Sequence, residues 1–412
     1  MSVTANDRRI LREAAKRVAE IAALPVQAER REMWYRHNRL EGVRPMVLVF
    51  PEGAWRELLP EDQMRCEDPV LRGWESRLKS AIYHHQNHHD DFVIEPHFRV
   101  PLAIRDTGWG IEARHRPSST ETGAWGFDPV IVEPSDLRKL RFPQVTHDEA
   151  ASNRAFELAQ ETFGDILRVR QKGDASASFH LMGLFCEWRG LEQVMVDMVD
   201  RPQWLHEAMS LLEEGHRRRN QQLEALGLLS LNNEDDYVCS GGVGYSKELP
   251  AQDYDGSHVR TKDMWGFAEA QEMAQVSPKM HWEFILQYEK RLLEPFGLNT
   301  YGCCEDLTDK LDFVLQIPNL RRVSISPWAD VARCAEKLNG TCILSWKPHP
   351  SMLVGDFSPD RVRAYLRHAM EASRGCAIEM ILKDTHTCQH HPERFTIWTD
   401  IAQEVAAEAG GS

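Results

Sequence analysis

Residues 296–350 read FGLNTYGCCEDLTDKLDFVLQIPNLRRVSISPWADVARCAEKLNGTCILSWKPHP, and this stretch decides the fold class. It contains three apolar runs that end in polar residues, at 296–305, 320–328 and 341–350. Two segments with helical spacing, 306–316 and 329–338, separate these runs. Short buried strands that alternate with helices are typical of a parallel sheet with crossover helices. The stretch therefore predicts an α/β fold.

The same alternation continues on both sides of this stretch. Further strands are predicted at FHLMGLF (179–185), LGLLSLNNEDD (226–236) and CAIEMILKD (376–384), and further helices at 191–226, 265–294 and 358–374. Polar residues at so many strand ends favour a (β/α)8 TIM barrel over an open sheet. We predict that the barrel core spans 171–412. Residues 1–170, rich in Trp, His, Pro and charge, are predicted to form an N-terminal helical and loop-rich extension that covers the substrate as a lid.

The charge balance excludes some classes of partner. The chain has 412 residues, with 49 Lys and Arg against 63 Asp and Glu, so its net charge is −14. Nucleic acids and anionic membrane surfaces need basic patches, and we expect neither as a partner. The sequence has no apolar run near the roughly 20 residues that span a bilayer. The absence of a signal-peptide core and of a disulfide-type cysteine spacing predicts a cytoplasmic protein.

Polar residues gather at the predicted strand ends, where barrels of this type carry their chemistry. Glu234, Tyr301 and His386 are the candidates for acid–base catalysis. The candidate substrate-binding residues are Asn233, Asp236, Trp125, Trp328, Trp346 and His349. Aromatic side chains among them offer a large contact area to a ring. Solvated strand ends and packed core aromatics are the alternative, which the sequence leaves open.

Thiols and carboxylates at the same strand ends match the ligand types of a tetrahedral zinc site. The candidate metal ligands are Cys303, Cys304, Cys388 and Glu305. They come from distant parts of the chain, so their spacing has no zinc-finger pattern. Ordinary loop residues that pack at the barrel mouth are the alternative.

A second group of histidines lies in the predicted extension. If the segment is helical, it carries two i,i+4 pairs, formed by His84, His85, His88 and His89. Such pairs can hold a metal. The favoured interpretation is a polar helix end with solvated imidazoles.

Several motifs between about 180 and 400 resemble the uroporphyrinogen decarboxylase superfamily. The residues that carry the resemblance are Asn233-Glu234-Asp235-Asp236, Tyr301-Gly302-Cys303-Cys304, Val323-Ser324-Ile325-Ser326, Ser345-Trp346-Lys347-Pro348, and Thr387-Cys388 through Phe395. The segment Trp34 to Leu40 resembles longer members that are linked to corrinoid systems. The resemblance implies a TIM barrel. The true decarboxylases hold their polycarboxylate substrate with an Arg-rich segment, which this sequence lacks.

The resemblance therefore implies the corrinoid-dependent methyltransferase branch. Such an enzyme moves a methyl group between a small substrate and the cobalt of cobalamin on a separate corrinoid protein. The Trp-rich lid favours an aromatic methoxylated substrate. Zinc-binding members use a His-x-Cys motif and a later Cys; here Tyr301 replaces that His, while Cys303 and Cys388 match. Members of this superfamily often pair, which implies a homodimer.

Three other functions stay open at this point. A uroporphyrinogen decarboxylase-like lyase would act on a tetrapyrrole. A non-catalytic barrel would bind a corrinoid or tetrapyrrole without turnover. A stand-alone zinc hydrolase or lyase would need no corrinoid protein.

Overall fold

The computed structural model describes residues 3–118 and 126–411. The α-helices are α1 Ala5–Ala22, α2 Pro25–Asn38, α3 Trp55–Leu58, α4 Pro69–Asn87, α5 Glu149–Phe163, α6 Leu181–Arg189, α7 Leu191–Asp200, α8 Pro202–Ala225, α9 Pro278–His281, α10 Gln287–Leu293, α11 Leu311–Val314, α12 Val331–Leu338, α13 Pro359–Ala372 and α14 Glu393–Gly410. The strands are β1 Met46–Val49, β2 His97–Pro101, β3 Ile104–Asp106, β4 Arg114–Arg116, β5 Gly126–Asp128, β6 Val145–His147, β7 Arg168–Lys172, β8 Ser178–Phe179, β9 Trp265–Ala268, β10 Leu298–Tyr301, β11 Leu320–Ile325, β12 Ile343–Trp346 and β13 Ile378–Leu382.

Seven parallel strands form the central sheet, in the order β1-β13-β12-β11-β10-β9-β8. Parallel neighbours need long crossover connections, and helices supply them between the later strands. The prediction of an α/β fold with a parallel sheet is confirmed. Within the described residues, no ladder of hydrogen bonds joins β8 to β1, so the structure shows seven strands and not a closed barrel.

Two of the predicted strands differ in the structure. The run 179–185 contributes only Phe179 to β8 and then turns into α6. Its apolar residues Leu181, Met182 and Phe185 are buried at helical spacing, and a short apolar run does not distinguish strand from helix. The run 226–236 makes one isolated parallel bridge, from Leu229 to Asp174.

One predicted helix also begins differently. The segment 265–294 starts as strand β9, has a short 3-10 helix at Gln271–Met273 and becomes α-helical only from Pro278, with a π-helical turn at Trp282–Leu286 before α10. Ser277 caps the helix by accepting a hydrogen bond from the backbone of Met280. This cap and the proline behind it set the true helix start.

The central sheet crosses the predicted boundary at residue 170. Strand β1 belongs to the predicted extension, yet it pairs with β13 over four residues, from Met46 opposite Glu379 to Val49 opposite Leu382. The extension also has a hydrophobic cluster of its own, which includes Leu11, Trp74 and Phe163. Residues 1–170 therefore supply part of the sheet as well as a separate packed layer.

The loop 236–249 packs against one face of the sheet. Its Val243 and Tyr245 contact β1 and β13, while its Val238 packs on Trp265 and Leu298 of β9 and β10. Gly241 and Gly242 adopt positive φ angles of 112° and 87°, a region that glycine enters without strain. The loop can therefore place its backbone directly against the sheet.

Gly244 gives a test of this close approach. A side chain at Gly244 would overlap with the backbone carbonyl oxygen of Asn232, so Gly244→Ala is expected to lower the free energy of unfolding by about 1–3 kcal/mol. Gly73 lies in α4 with open space around it, and Gly73→Ala is expected to raise stability by about 0.5–1 kcal/mol. Urea unfolding measures both values. Equal effects of the two substitutions would contradict the close approach of the loop.

No helix in the described parts of the chain is both long and apolar enough to cross a membrane.

Candidate active site

A cavity of about 340 Å³ opens at the carboxyl ends of the sheet strands. Parallel α/β folds place their ligands at this edge. Its wall is formed by residues of β9, by the segment 175–178 at the start of β8, by residues that follow β8, β10 and β13, and by the first part of the loop 236–249. The lining residues that carry polar or aromatic groups are Ser176, Ser178, His180, Asn232, Tyr237, Cys239, Ser240, Trp265, Phe267, Cys303 and Lys383.

His180 forms a charged pair with Glu269 at this cavity. Its Nδ1 is hydrogen-bonded to Oε1 of Glu269, whose other oxygen accepts the backbone N–H of Gln271 at 2.8 Å. Nε2 of His180 lies 2.5 Å from the hydroxyl oxygen of Ser178. Burial lowers the pKa of His180, but the hydrogen bond and charge of Glu269 outweigh this effect and raise the pKa above its ordinary value. The imidazolium form therefore persists to higher pH than in a free histidine, which suits a proton donor.

Cys303, which follows β10, also lines this cavity. The thiol of Cys304, 3.6 Å away, and the hydroxyl of Ser240, 3.1 Å away, both donate toward its sulfur. Lys383 Nζ is 3.1 Å from the same hydroxyl oxygen. The hydrogen bond from Cys304 and the charge of Lys383 lower the pKa of Cys303, although burial opposes this. The cavity wall thus includes a thiol whose negatively charged form is stabilised by its neighbours.

Glu305 holds the backbone around both groups. One of its carboxylate oxygens accepts the N–H of Cys303 at 2.8 Å, and the other accepts the N–H of Ala270 at 3.1 Å. Because Ala270 follows Glu269 directly, this carboxylate connects the ends of β9 and β10. Complete burial raises the pKa of Glu305 to about 7.

The four predicted metal ligands do not form one group of donors. Cys388 donates its thiol to Glu57 at 3.1 Å, and burial with this contact raises its pKa to about 11. Glu305 is occupied by the two backbone N–H groups. In the described residues, the one group of three or more His, Cys, Asp and Glu side chains whose ligand atoms all lie within 4.8 Å of one another is His97, Glu234 and Asp235. The donors therefore do not fit the predicted zinc site.

The group around His97 is already neutralised by cations. Arg99 bonds to Asp235 and Asp236, and Arg170 bonds to Glu234 at 2.8 Å. These ion pairs connect the segment 234–236 to β2 and β7. The predicted catalytic residue Glu234 and the predicted substrate-binding residue Asp236 thus link two parts of the chain and do not line the cavity.

The other predicted catalytic residues also lie outside the cavity lining. Tyr301 is completely buried on the helix side of the sheet, where its hydroxyl is 2.9 Å from Nε2 of His281 and 3.0 Å from Glu289. Burial raises the pKa of Tyr301 well above its ordinary value. His386 is exposed, and its backbone carbonyl accepts a hydrogen bond from Arg56. The position of Tyr301 follows from the geometry of a strand, in which successive side chains point to opposite faces of the sheet.

The predicted substrate-binding residues are dispersed. Asn233 donates its amide to the backbone of Leu249 at 2.6 Å, and Trp346 is buried against Tyr365. Trp328, 67% exposed, contacts His349 edge to face on the outer surface. Trp125 lies outside the described residues. The cavity lining therefore contains none of the described members of this predicted set.

Two of the four histidines at the end of α4, His84 and His88, are buried. Helix α4 ends at Asn87, so the two i,i+4 pairs do not share one helix. His84 is hydrogen-bonded to Asp90 at 2.9 Å, and burial lowers the pKa of His88 to about 3. The prediction of solvated imidazoles is wrong for these two residues, because α14 and the aromatic residues around them exclude water.

His180, Lys383, Ser240 and Tyr237 are among the site residues that the sequence-based predictions missed. His180 stands directly after a strand, which was a usable signal, but the run around it was interpreted as one continuous strand. Ser240 and Tyr237 belong to a loop whose position depends on distant contacts with the sheet. Lys383 follows β13, so the sequence showed that it lies at a strand end. The sequence did not show which residue it contacts, and no role was assigned to it.

Comparison with solved structures finds a similar fold. The fold is similar to that of a methyltransferase from Methanosarcina mazei, with a TM-score of 0.50 and 11% sequence identity over 90% of this chain and 97% of that chain. No protein-family model and no curated protein matches the sequence. At this identity the likeness concerns the fold, and membership of the uroporphyrinogen decarboxylase superfamily stays a prediction.

Proposed function

We propose that this chain is a methyltransferase that moves a methyl group between a small aromatic methyl ether and the cobalt of cobalamin on a separate corrinoid protein. The observation that carries the proposal is the His180–Glu269 pair, which opens onto an aromatic-walled cavity at the strand ends. The similar fold of a methyltransferase supports methyl transfer in general.

The size and lining of the cavity support a substrate with one ring. A volume of about 340 Å³ lies at the lower end of the range of small-ligand pockets. Phe267, Trp265 and Tyr237 offer ring faces and edges to an aromatic guest. A tetrapyrrole with many carboxylates would need several cations, whereas His180 and Lys383 are the basic residues in the described lining. The decarboxylase-like alternative is therefore disfavoured.

The proposed reaction breaks the bond between the ether oxygen and its methyl carbon. Cobalamin on the partner protein would supply the reduced cobalt as the nucleophile that accepts the methyl group. The oxygen that remains becomes a phenolate, and His180 donates a proton to it. Lys383 stabilises the negative charge that develops on this oxygen, and the apolar wall keeps water away from it. No step passes through zinc, because the predicted donor set is not assembled.

We also infer that the sheet is part of a barrel. The loop 236–249 contacts β1 and β13 near one edge and β9 near the other, so both edges curve around it. The backbone of Asp91 donates to the carbonyl of Val47 at 2.8 Å beside β1, which extends the sheet at that edge. The cytoplasmic location and the homodimer stay predictions.

The proposed function is tested with the purified full chain and free cob(I)alamin as a substitute for the corrinoid protein. Formation of methylcobalamin is followed by absorbance with 4-methoxyphenol as the methyl donor, and methanol and methylamine serve as non-aromatic donors. We expect turnover with the aryl ether and much slower turnover with the other two. Turnover of none of the three, or preference for methanol or methylamine, would overturn the proposal.

A further inference from the structure

We propose that Cys303 and Cys304 form an oxidisable dithiol, in which a hydroperoxide that enters the cavity oxidises Cys303 and Cys304 then closes a disulfide with it. The dithiol is a modification site that does not depend on the methyl transfer. Its basis is the position of two neighbouring sulfur atoms at a cavity wall.

The geometry brings the two sulfurs together and exposes one of them. They lie 3.6 Å apart, in van der Waals contact. Cys303 lines the cavity, so a small peroxide reaches its sulfur. The hydroxyl of Ser240 donates to this sulfur at 3.1 Å, and Lys383 is bonded to the same hydroxyl. These groups stabilise negative charge on Cys303, which is the nucleophilic form of a thiol.

The remaining cysteines are poor competitors. Cys66, Cys186, Cys239, Cys334, Cys342 and Cys388 are buried, and burial raises the pKa of each of them. Cys376 is half-buried like Cys303, but burial raises its pKa and its thiol donates to the backbone of Ala335. Cys303 combines a place in the cavity lining with a second sulfur 3.6 Å from its own. Oxidation is therefore expected at Cys303 first.

Both steps balance. The sulfur of Cys303 attacks one peroxide oxygen, the O–O bond breaks, and the thiol proton goes to the alkoxide that leaves as an alcohol, so Cys303 becomes a sulfenic acid. The sulfur of Cys304 then attacks that of Cys303, the S–O bond breaks, and water leaves. Asp384 lies 3.9 Å from the Cys304 sulfur, where it accepts the thiol proton on its way to the hydroxyl. In total, two thiols lose two electrons to one hydroperoxide.

The backbone at this position permits the ring closure. Residues 302–305 lie outside helices and strands, and Gly302 has a φ of 93°. Adjacent Cα atoms are about 3.8 Å apart, whereas disulfides usually join Cα atoms about 4.4–6.8 Å apart. A bond between neighbours is therefore easily reduced, and we expect dithiothreitol to reverse it.

Mass spectrometry of the full chain tests the proposal. The protein is treated with one equivalent of hydrogen peroxide, remaining thiols are alkylated, and the chain is digested with trypsin. Cleavage after Arg291 and Lys310 releases a peptide, 292–310, that contains both cysteines and no others. We expect this peptide to become two hydrogen atoms lighter and resistant to alkylation, about tenfold faster than Cys376 is oxidised.

Two variants separate the steps. In Cys304→Ser the sulfenic acid on Cys303 is expected to persist and to be captured by dimedone, whereas Cys303→Ser yields neither product. Cys376→Ser is the matched control and should react like the unchanged protein. Oxidation of Cys376 at an equal rate, a Cys303 disulfide to the peptide that holds Cys239, or oxidation of Cys304 in Cys303→Ser would each overturn the proposal.

Discussion

Replacing His180 with Gln is expected to lower the rate of methyl transfer by about 10²–10⁴-fold, the usual contribution of a general acid. Glutamine keeps the approximate size of the side chain but has no acidic proton to transfer to a phenolate. The contact of Nδ1 with Glu269 orients the ring, and its outer nitrogen faces Ser178 and the cavity. The rate with 4-methoxyphenol and cob(I)alamin measures the effect.

The pH dependence distinguishes an acid from a merely structural residue. Since the folded pKa of His180 is raised, its protonated form persists to higher pH than in a free histidine, and activity is expected to fall as the pH rises through that pKa. Glu269→Gln should move this decline to lower pH, and His180→Gln should lack it. His147 is also hydrogen-bonded to a serine, Ser152, and His147→Gln is the matched control. A rate in His180→Gln within twofold of the control would contradict the acid role.

Replacing Glu379 with Ala is expected to lower the free energy of unfolding by about 3–5 kcal/mol, because it leaves a buried cation without its partner. Glu379 and Arg322 are both completely buried, with Nε of Arg322 2.9 Å from Oε1 of Glu379. His37 and Ser345 bond to the same carboxylate. Lys347 lies nearby, and burial lowers its pKa to about 8. Urea unfolding at pH 7 measures the loss.

Two further sets of substitutions separate the contribution of the buried Arg322–Glu379 pair to stability from the effect of removing any charge. Glu404→Ala removes an exposed pair with Arg363 and should cost no more than about 0.5 kcal/mol. The double replacement of Arg322 by Met and Glu379 by Leu should be less damaging than Glu379→Ala alone, because no charge stays unpaired. If Glu379→Ala lowered the free energy of unfolding by less than the double replacement does, the role of the unpaired charge would be contradicted.

The same carboxylate adds a pH dependence to stability. Burial raises the pKa of Glu379, but the charges of Arg322 and His37 lower it to about 2. A folded pKa below the unfolded value of about 4.3 means that the stabilisation is present above that value and is lost as the pH falls toward 2. The difference in stability between wild type and Glu379→Ala should therefore shrink below about pH 4.

Much of the sheet was predictable from local pattern. The runs 296–305, 320–328, 341–350 and 376–384 are apolar over several residues, as strands buried on both faces are, and each contains a strand of the sheet. The run 179–185 failed because the same apolar residues fit a helix. Strand β1 was hidden in the extension, since a four-residue strand has little periodicity of its own.

The sequence by itself determined the alternation of strands and helices and the edge of the sheet where chemistry is expected, because both follow from burial pattern and strand direction. Only the tertiary structure decided which side chains meet there. Cys303 was identified from the sequence, but its neighbours Ser240, Lys383 and the His180–Glu269 pair come from four separate segments. The sequence also placed Tyr301 and Glu234 near the same edge. In the structure, the alternation of strand residues turns Tyr301 toward the helices, and an ion pair with Arg170 holds Glu234 against the extension. Contacts between residues far apart in the chain depend on packing and charge pairing, and no local spacing encodes them.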